Sequence, residues 1–280
     1  MPAANPMSHE GLSTQGPTPG RKSNLREFAR TATPCSLCSA RSHCMPGGLD
    51  PGEMHLLDPL VTRRIRMHKG DTLFRAGEKF TALYAIRSGS CKTVLPGEDG
   101  HYQVAGYHMA GDVLGTDGIA VDSHDCEAVA LEDMEVCAIP FDRVETLARQ
   151  NAHFQHSFTR LLSKEIARER HAMLVLGTMQ ADQRLATFLL DLAQRYHDRG
   201  YSSVEFVLRM TREEIGSHLG LKLETVSRLF SRFHEEGLIQ VHGRVVKVLD
   251  RIALRKVVGH ERVEPGTGST NPIGEPPQTA

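Results

Sequence analysis

The sequence has no long apolar run and almost no net charge. The 280-residue chain contains no stretch of 18 or more apolar residues, so no membrane-spanning helix is predicted. The N-terminus lacks the basic and apolar regions of a secretory signal. We therefore expect a reducing cytoplasm, where cysteines bind metals more readily than they form disulfides. The formal net charge of −1 leaves any nucleic-acid binding to the local placement of basic residues.

Three of the six cysteines lie close together, as Cys35, Cys38 and Cys44 in a C-x2-C-x5-C pattern. Two thiols on a C-x2-C turn can point at one centre, and the third adds another corner. Thiolates bind soft metals, so the spacing suits zinc, an iron–sulfur cluster or redox use of the pair. Either metal centre needs a fourth ligand from elsewhere in the chain. The alternative is three surface thiols on a flexible segment.

The length predicts about two modest domains, and the composition adds a tail at each end. Both terminal regions are rich in Pro, Gly, Ser and Thr without apolar periodicity, which is typical of disorder. The predicted segments are a disordered tail at 1–30, a cysteine segment at 31–50, a β-roll sensor domain at 51–141, a dimerisation helix at 142–177, a DNA-binding domain at 178–260 and a second tail at 261–280.

Residues 51–141 contain short apolar runs separated by turn signals. Runs occur at 83–86, 91–95, 102–107 and 128–131, and the first two end at Ser-Gly and Pro-Gly. Short strands with regular turns are typical of a β-barrel or a double-sheet roll.

The next 35 residues, 142–176, contain no Gly or Pro and have helical apolar spacing. They predict one helix that ends at Gly177. One face repeats at 4, 3, 4 and 3 residues, which is a heptad seam suited to pairing with a second copy. The residues of this seam are Leu162, Ile166, Glu169, Met173 and Leu176. The alternative is a helix that lies on its own β-roll.

Glu169 is the acidic exception in the seam. In a symmetric dimer the two Glu169 carboxylates would approach each other, and like charges in a partly dry interface repel. We therefore expect Glu169 to keep dimerisation conditional.

The C-terminal third predicts a winged helix-turn-helix. Thr211 and Glu214 form a capping box that opens the first helix, Gly220 makes the turn, and residues 224–236 form the second helix. Residues 238–248 alternate around a His-Gly turn and predict a β-hairpin wing. The predicted fold class is α+β, with an N-terminal β-roll, a long dimerisation helix and a C-terminal winged helix-turn-helix.

The outward face of the second helix carries side chains suited to DNA. A glutamate such as Glu224 can accept from cytosine N4, and an arginine such as Arg228 can reach guanine O6 and N7. The predicted DNA contacts, to bases and phosphates together, are Lys222, Glu224, Thr225, Ser227, Arg228 and Arg232. The alternative is a solvated polar face on a winged helix that binds protein.

The order of these features resembles the CRP/FNR superfamily of bacterial transcription regulators, and within it the FNR branch. The agreement covers roughly residues 31–260 and includes 69–77 (KGDTLFRAG), 83–89 (LYAIRSG) and 224–229 (ETVSRL). The resemblance implies a cyclic-nucleotide-binding-like roll, a homodimer and DNA-binding regulation. Because no nucleophile–base motif is visible, no enzymatic activity is predicted.

The resemblance to FNR-type proteins further implies one oxygen-labile 4Fe–4S cluster per subunit. In that branch an N-terminal cysteine trio and one cysteine from the roll hold the cluster, and Cys35, Cys38 and Cys44 match the trio. The fourth ligand precedes a short apolar-Pro-Phe step, which Cys137 matches. Cys126 is the main alternative.

The same resemblance implies how the protein works. The cluster favours a dimer that binds TTGAT-N4-ATCAA-like palindromes at low oxygen and contacts RNA polymerase. The dimer activates or represses genes, including those for anaerobic respiration, until oxygen degrades the cluster. Residues 121–127, the region that corresponds to the cyclic-nucleotide site, contain three carboxylates and no arginine, so no cyclic nucleotide is expected.

His43 stands directly before Cys44, where the family commonly has an apolar residue. We expect it to face solvent; the alternative is a hydrogen bond to a cluster sulfur. Two rival interpretations of the cysteines are a structural zinc site in a constitutive DNA-binding or scaffold protein, and a vestigial trio in a relative that binds a small molecule.

Overall fold

The structure, a computed structural model, describes residues 26–28, 34–45, 49, 53–97 and 102–259. The predicted tails, 1–30 and 261–280, lie outside the described residues apart from Arg26–Phe28. These three residues form a short strand that pairs antiparallel with residues 64–66. The structure differs here from the predicted tail, because backbone pairing with a neighbouring strand leaves no trace in local composition.

The predicted β-roll is present and is built from two antiparallel sheets. Its strands are β1 Arg26–Phe28, β2 Arg63–Met67, β3 Thr72–Phe74, β4 Ala82–Ser88, β5 Ser90–Pro96, β6 Tyr102–Met109, β7 Val113–Leu114, β8 Glu127–Ala130 and β9 Met134–Pro140. One sheet has the order β1-β2-β9-β4-β7 and the other β3-β8-β5-β6. The interior between the sheets is apolar.

Strands β4 and β9 send alternate side chains to two different cores. Ile86 and Val136 face the interior of the roll, whereas Leu83 and Ile139 face the outer side of the sheet. This alternation follows from the two-residue period of a strand. The outer core joins the sheet to the cysteine segment and to the helix that follows β9.

Two helices, α1 Phe141–Gln150 and α2 Ala152–Thr178, follow the roll. Asn151 between them is extended, with φ −133° and ψ 109°, and its side chain accepts a hydrogen bond from Phe154 N at 2.7 Å. The prediction of one continuous helix is therefore wrong, because this N-cap starts a new helix. Gly177, the predicted end, lies inside α2. Within the described ranges, no helix combines the length and apolarity needed to cross a membrane.

The C-terminal domain contains the predicted helix-turn-helix and wing. Its elements are α3 Ala181–Asp198, β10 Glu205–Val207, α4 Arg212–Leu219, α5 Leu223–Glu235, β11 Ile239–His242, β12 Val245–Val248 and α6 Arg251–Val258. The capping box of Thr211 and Glu214 is present, and Gly220 has the left-handed φ of +63° that ends α4. Strand β10 and helix α6 had no predicted counterpart.

The C-terminal domain packs on the roll through α4. Ser217 Oγ accepts from Val104 N at 2.9 Å and donates to Tyr102 O at 3.0 Å, and Lys92 Nζ lies 2.6 Å from Glu214 Oε1. The two Ser217 bonds occupy backbone groups of β6, which is an edge strand of its sheet. The roll and the C-terminal domain of one chain are therefore in direct contact.

Candidate functional site

Tight turns hold the three N-terminal cysteines close together. Cys35 begins a single 3-10 turn, and its N–H donates to Asp58 Oδ1 at 2.7 Å. Cys38 N bonds to Cys35 O at 3.2 Å, and Cys44 N bonds to Ala40 O at 3.1 Å. The C-x2-C-x5-C spacing thus folds into successive turns.

The four predicted cluster ligands line one pocket. Cys137 lies on β9 opposite Ala85 of β4, and it packs on the outer core that also includes Cys35 and Cys44. The pocket walls are mainly apolar residues: Ala40, Met45, Leu57, Leu60, Val61, Ala85, Ile86 and Ile139. Arg41 and Arg87 complete the lining. The donor set is therefore four thiols in a largely apolar setting with two guanidinium groups nearby.

Burial controls the ionisation of these thiols. Burial and the Asp58 carboxylate raise the pKa of Cys35 to about 12, and burial also raises the pKa of Cys44 strongly. Burial raises the pKa of Cys137 as well, although the positive charge of Arg64 opposes this shift. These thiols are weak acids in the absence of a bound cation, so a metal must displace their protons.

The two remaining cysteines lie elsewhere. Cys126 and Cys91 are buried in the core between the two sheets, on the other side of the sheet that carries Cys137. Cys126 Sγ lies 3.6 Å from Asp117 Oδ2. Within the described part of the chain, one group of three potential metal ligands has its ligand atoms within 4.8 Å of one another. This group consists of Asp117, Asp125 and Cys126.

The sequence predicted that His43 faces solvent, and the structure differs from this prediction. It is half-buried, and its Nδ1 lies 2.9 Å from Ser42 Oγ. A Cβ placed on Gly111 would lie only 2.6 Å from His43 Cβ, so the two backbones pack closely. Burial and the nearby Arg199 charge lower the pKa of His43. The cysteine segment therefore rests on the turn between β6 and β7.

The predicted seam of α2 is open to solvent in the single chain. Ile166 is 50% exposed and Met173 is 71% exposed, Leu176 and Glu169 are also exposed, and Leu162 is half-buried. Neighbouring Leu174 is 51% exposed. Such a row of apolar side chains on a long helix is available for a partner.

The predicted DNA contacts lie on one exposed face of α5. Glu224, Ser227 and Arg228 are exposed and Thr225 is half-buried, whereas Val226, Leu229, Phe230 and Phe233 are buried beneath them. Lys222 is exposed at the N-cap of α5. The helix therefore separates a core face from a polar face.

Arg232 differs from the other predicted contacts because it already has partners. Its Nη2 donates to Asp182 Oδ2 at 3.0 Å, and its Nε lies 3.6 Å from Glu236 Oε1. The first of these bonds ties α5 to the start of α3.

Comparison with known proteins identifies the architecture. Residues 64–151 match the model of the cyclic nucleotide-binding domain, and residues 183–257 match that of the Crp-like helix-turn-helix domain. The chain is 46% identical to the transcriptional regulatory protein btr of Bordetella pertussis, over 82% of this chain and 95% of that protein. The chain belongs to the CRP/FNR family of transcription regulators. Its relatives are DNA-binding regulators and not enzymes, as predicted.

Two further members of the CRP/FNR family support the assignment. The fumarate and nitrate reduction regulatory protein of Escherichia coli K12 is 40% identical, over 81% of this chain and 91% of that protein. The solved structure of FixK2 from Bradyrhizobium japonicum matches with a TM-score of 0.65 and 28% identity, over 69% of this chain and 96% of that one. The predicted fold class is confirmed.

The sequence analysis missed a buried ionic cluster between the roll and the C-terminal domain. This domain, from α3 to α6, is called the reading domain below. Asp112, in the turn before β7, binds Arg195 of α3 and Arg199 at the C-cap of α3, more than 80 residues away in the chain. Charged residues so far apart share no local pattern. A Gly-Asp pair between two strands was the one available signal, and it predicts only a turn.

Proposed function

We propose that this CRP/FNR-family regulator responds to oxygen through one 4Fe–4S cluster per subunit, held by Cys35, Cys38, Cys44 and Cys137. The single observation that carries the proposal is that these four thiols line one pocket while Cys126 does not. When bound, such a cluster supplies an oxygen-labile link between the cysteine segment and the roll.

The donor set fits this group better than it fits a single zinc ion. Zn–S bonds of about 2.3 Å in a tetrahedron place sulfur atoms about 3.8 Å apart. Among the described residues, no three of these thiols come within 4.8 Å of one another. The wider spacing suits a larger centre. The Arg64 charge beside Cys137 and the Arg87 side chain in the pocket lining would balance its negative charge.

The chain's own residues supply the rest of the mechanism. The seam of α2 pairs two subunits, and Glu169 keeps that pairing weak. The residues of this seam are Leu162, Ile166, Glu169, Met173 and Leu176. Each subunit then presents α5 to one half of a palindrome of the TTGAT-N4-ATCAA type. Glu224, Thr225, Ser227 and Arg228 meet base edges or phosphates, and Lys222 meets phosphate. Arg232 contributes less because Asp182 already neutralises it.

The remaining parts of the proposal concern the surroundings of the protein. It acts in the cytoplasm, contacts RNA polymerase, and activates or represses genes that include those of anaerobic respiration. No cyclic nucleotide is expected, because Asp117 lies close to Asp125, one of residues 121–127, and the two carboxylates would repel a phosphate.

An anaerobic absorption spectrum with iron and sulfide counts, repeated after exposure to air, tests the proposal. We expect a brown protein with about four irons per chain. Air should bleach it and abolish binding to the palindrome at the same time. A colourless anaerobic protein that contains zinc would leave the DNA-binding regulator in place and remove the oxygen response. DNA binding by metal-free protein would favour a vestigial cysteine trio.

A further inference from the structure

The buried carboxylate of Asp112 is the centre of an ionic cluster that joins three parts of the chain. Arg195 Nη2 donates to Asp112 Oδ2 at 2.6 Å, and Arg199 Nη2 donates to Asp112 Oδ1 at 2.7 Å. Arg195 lies in α3 of the reading domain, and Arg199 is the C-cap residue of that helix. Arg168 of α2 lies further away, 3.9 Å from Asp112 Oδ1. Asp112 is only 8% exposed; burial opposes its ionisation, but the three guanidinium groups outweigh this and lower its pKa.

Backbone contacts strengthen the same junction. Arg195 Nη1 donates to Tyr107 O at 2.8 Å, and Arg199 Nε donates to Ala110 O at 2.7 Å. The two arginines therefore hold the end of β6 and the turn that follows it. A buried ion pair with this many hydrogen bonds is rigid, since moving either partner leaves an uncompensated charge.

The cysteine segment rests on the same turn. His43, one residue before Cys44, packs so closely on Gly111 that no side chain fits there, and Gly111 has the left-handed φ of +94°. The turn is also bonded to the pocket wall. Ile86 N donates to Asp112 O at 2.9 Å, and Gly111 N donates to Ile86 O at 2.8 Å. Ile86 lines the cysteine pocket.

The other end of the junction leads to α5, the helix that carries the predicted DNA contacts and is called the reading helix below. Leu185 and Leu189 of α3 share one buried core with Phe233 of α5. Asp182, at the start of α3, pairs with Arg232 of α5 at 3.0 Å. A displacement of α3 would therefore carry α5 with it.

We propose that Asp112, bound by Arg195 and Arg199, is the contact through which the cysteine segment positions the reading domain within a single chain. This three-residue contact is called the joint below. The bonds of this route join the turn directly to the reading domain, and helix α2 borders the joint through Arg168 and Glu165. Asp112 and both arginines are positioning residues, since none of them lies on the DNA-contacting face of α5. The sensory role of the joint rests on the proposed function, whereas the mechanical link between the two segments does not.

Hydrogen–deuterium exchange on the full-length, metal-free protein tests the mechanical link. In Asp112→Asn we expect exchange to accelerate at least about tenfold in both residues 34–45 and α3. Lys92→Met is the matched control. It removes another ion pair between the roll and the reading domain, and it should affect only α4 and β5. Faster exchange in α3 with an unchanged cysteine segment would overturn the proposal. Arg199→Gln, which leaves Arg195 in place, should give a smaller effect in the same two segments and serves if Asp112→Asn does not fold.

A second readout tests the sensory role. The affinity for a palindromic duplex is measured for iron-reconstituted and metal-free protein, and the ratio of the two Kd values is compared. Couplings of this kind are about 5–150-fold. We expect Asp112→Asn to bring the ratio close to one with the iron content and spectrum of the unsubstituted protein, and Lys92→Met to weaken both forms equally. An unchanged ratio in Asp112→Asn would overturn the proposal. If the unsubstituted protein binds no iron, the proposed function fails and the exchange experiment alone decides the joint.

Discussion

The cysteine segment and the DNA-reading domain are held together by different means. Residues 34–45 form only short turns, which are tied to the rest of the chain by the Cys35–Asp58 bond and by the packing of Met45 and His43. The reading domain has a large apolar core that a few roll residues such as Tyr107 join, capping boxes on α3 and α4, and a three-stranded sheet. The reading helix thus takes its shape from the core around it, whereas we expect the order of the cysteine segment to depend on what its thiols bind. Control from the cysteine end should change the placement of the reading domain and leave its shape unaltered.

The largest effect is expected from Cys137→Ser, which removes the pocket ligand contributed by the roll. Nearly all iron should be lost, and the affinity for the palindrome should fall to that of metal-free protein. Cys126→Ser is the matched control and should keep its iron, because Cys126 lies in the core on the other side of the sheet. Iron counts and anaerobic DNA titrations measure both effects. Iron loss in Cys126→Ser alone would exchange the roles of the two cysteines.

Acid should weaken the roll through His108 of β6, which lies between the cysteine segment and the reading domain. Burial lowers the pKa of His108 to about 4, from an ordinary value of 6.5. Above pH 6.5 the residue is neutral in both folded and unfolded chains. Between about pH 6.5 and 4 only the unfolded chain takes up the proton, so stability falls by up to roughly 3 kcal/mol.

His108→Gln should remove this part of the pH dependence, as measured by urea unfolding at several pH values. Thr93→Val is the control, because it deletes the hydroxyl that lies 3.0 Å from His108 Nε2 and keeps the titrating ring. Its stability should still fall with acid. Equal pH profiles for His108→Gln and the unsubstituted protein would contradict the assignment.

At the reading end, Arg228→Ala should weaken specific DNA binding without affecting iron. Loss of an arginine–guanine contact costs about 1–3 kcal/mol per half-site, which is roughly 5–150-fold in affinity for each of the two half-sites. Arg232→Ala should cost less, because Asp182 and Glu236 already hold that side chain. Fluorescence anisotropy with palindromic and scrambled duplexes separates the two roles. An equal loss on both duplexes would place Arg228 on phosphates.

The smallest effect is expected at Glu169, on the helix between the two ends. Glu169→Ala should strengthen dimerisation of metal-free protein by up to about 1 kcal/mol, roughly fivefold, because it removes a like-charge contact. Arg170→Ala, an exposed neighbour outside the seam, should leave dimerisation unchanged. Sedimentation of the metal-free proteins measures both. A profile unchanged by Glu169→Ala would remove the seam carboxylate from the control of dimerisation.

Local patterns predicted much of the fold and of the candidate site. The capping box at Thr211, the turn at Gly220 and the wing are present because each depends on a few neighbouring residues. The position of Cys137 was predicted from a family likeness. The pleat of β9 supplies the physical reason, since it directs Cys137 and Ile139 to the outer face and Val136 to the interior.

Local patterns also misled at two places. The absence of Gly and Pro predicted one helix from residue 142 onward, but the Asn151 side chain caps a new helix there. Asn is a strong N-cap, and its local hydrogen bond competes with a continuous helix. His43 was expected in solvent, yet it packs on a glycine 68 positions away.

The sequence by itself determined the chemistry available to this protein: thiols in a metal-binding spacing, a reading helix with one polar face, and an α2 seam with one acidic residue. Only the tertiary structure decided which of these parts act on one another. It placed Asp112 between Arg195 and Arg199 at the C-terminal end of α3, docked α4 on the edge of β6, and set His43 against Gly111. Side-chain periodicity acts over a few residues. Contacts between distant segments arise only when separate cores pack together, so no local pattern specifies them.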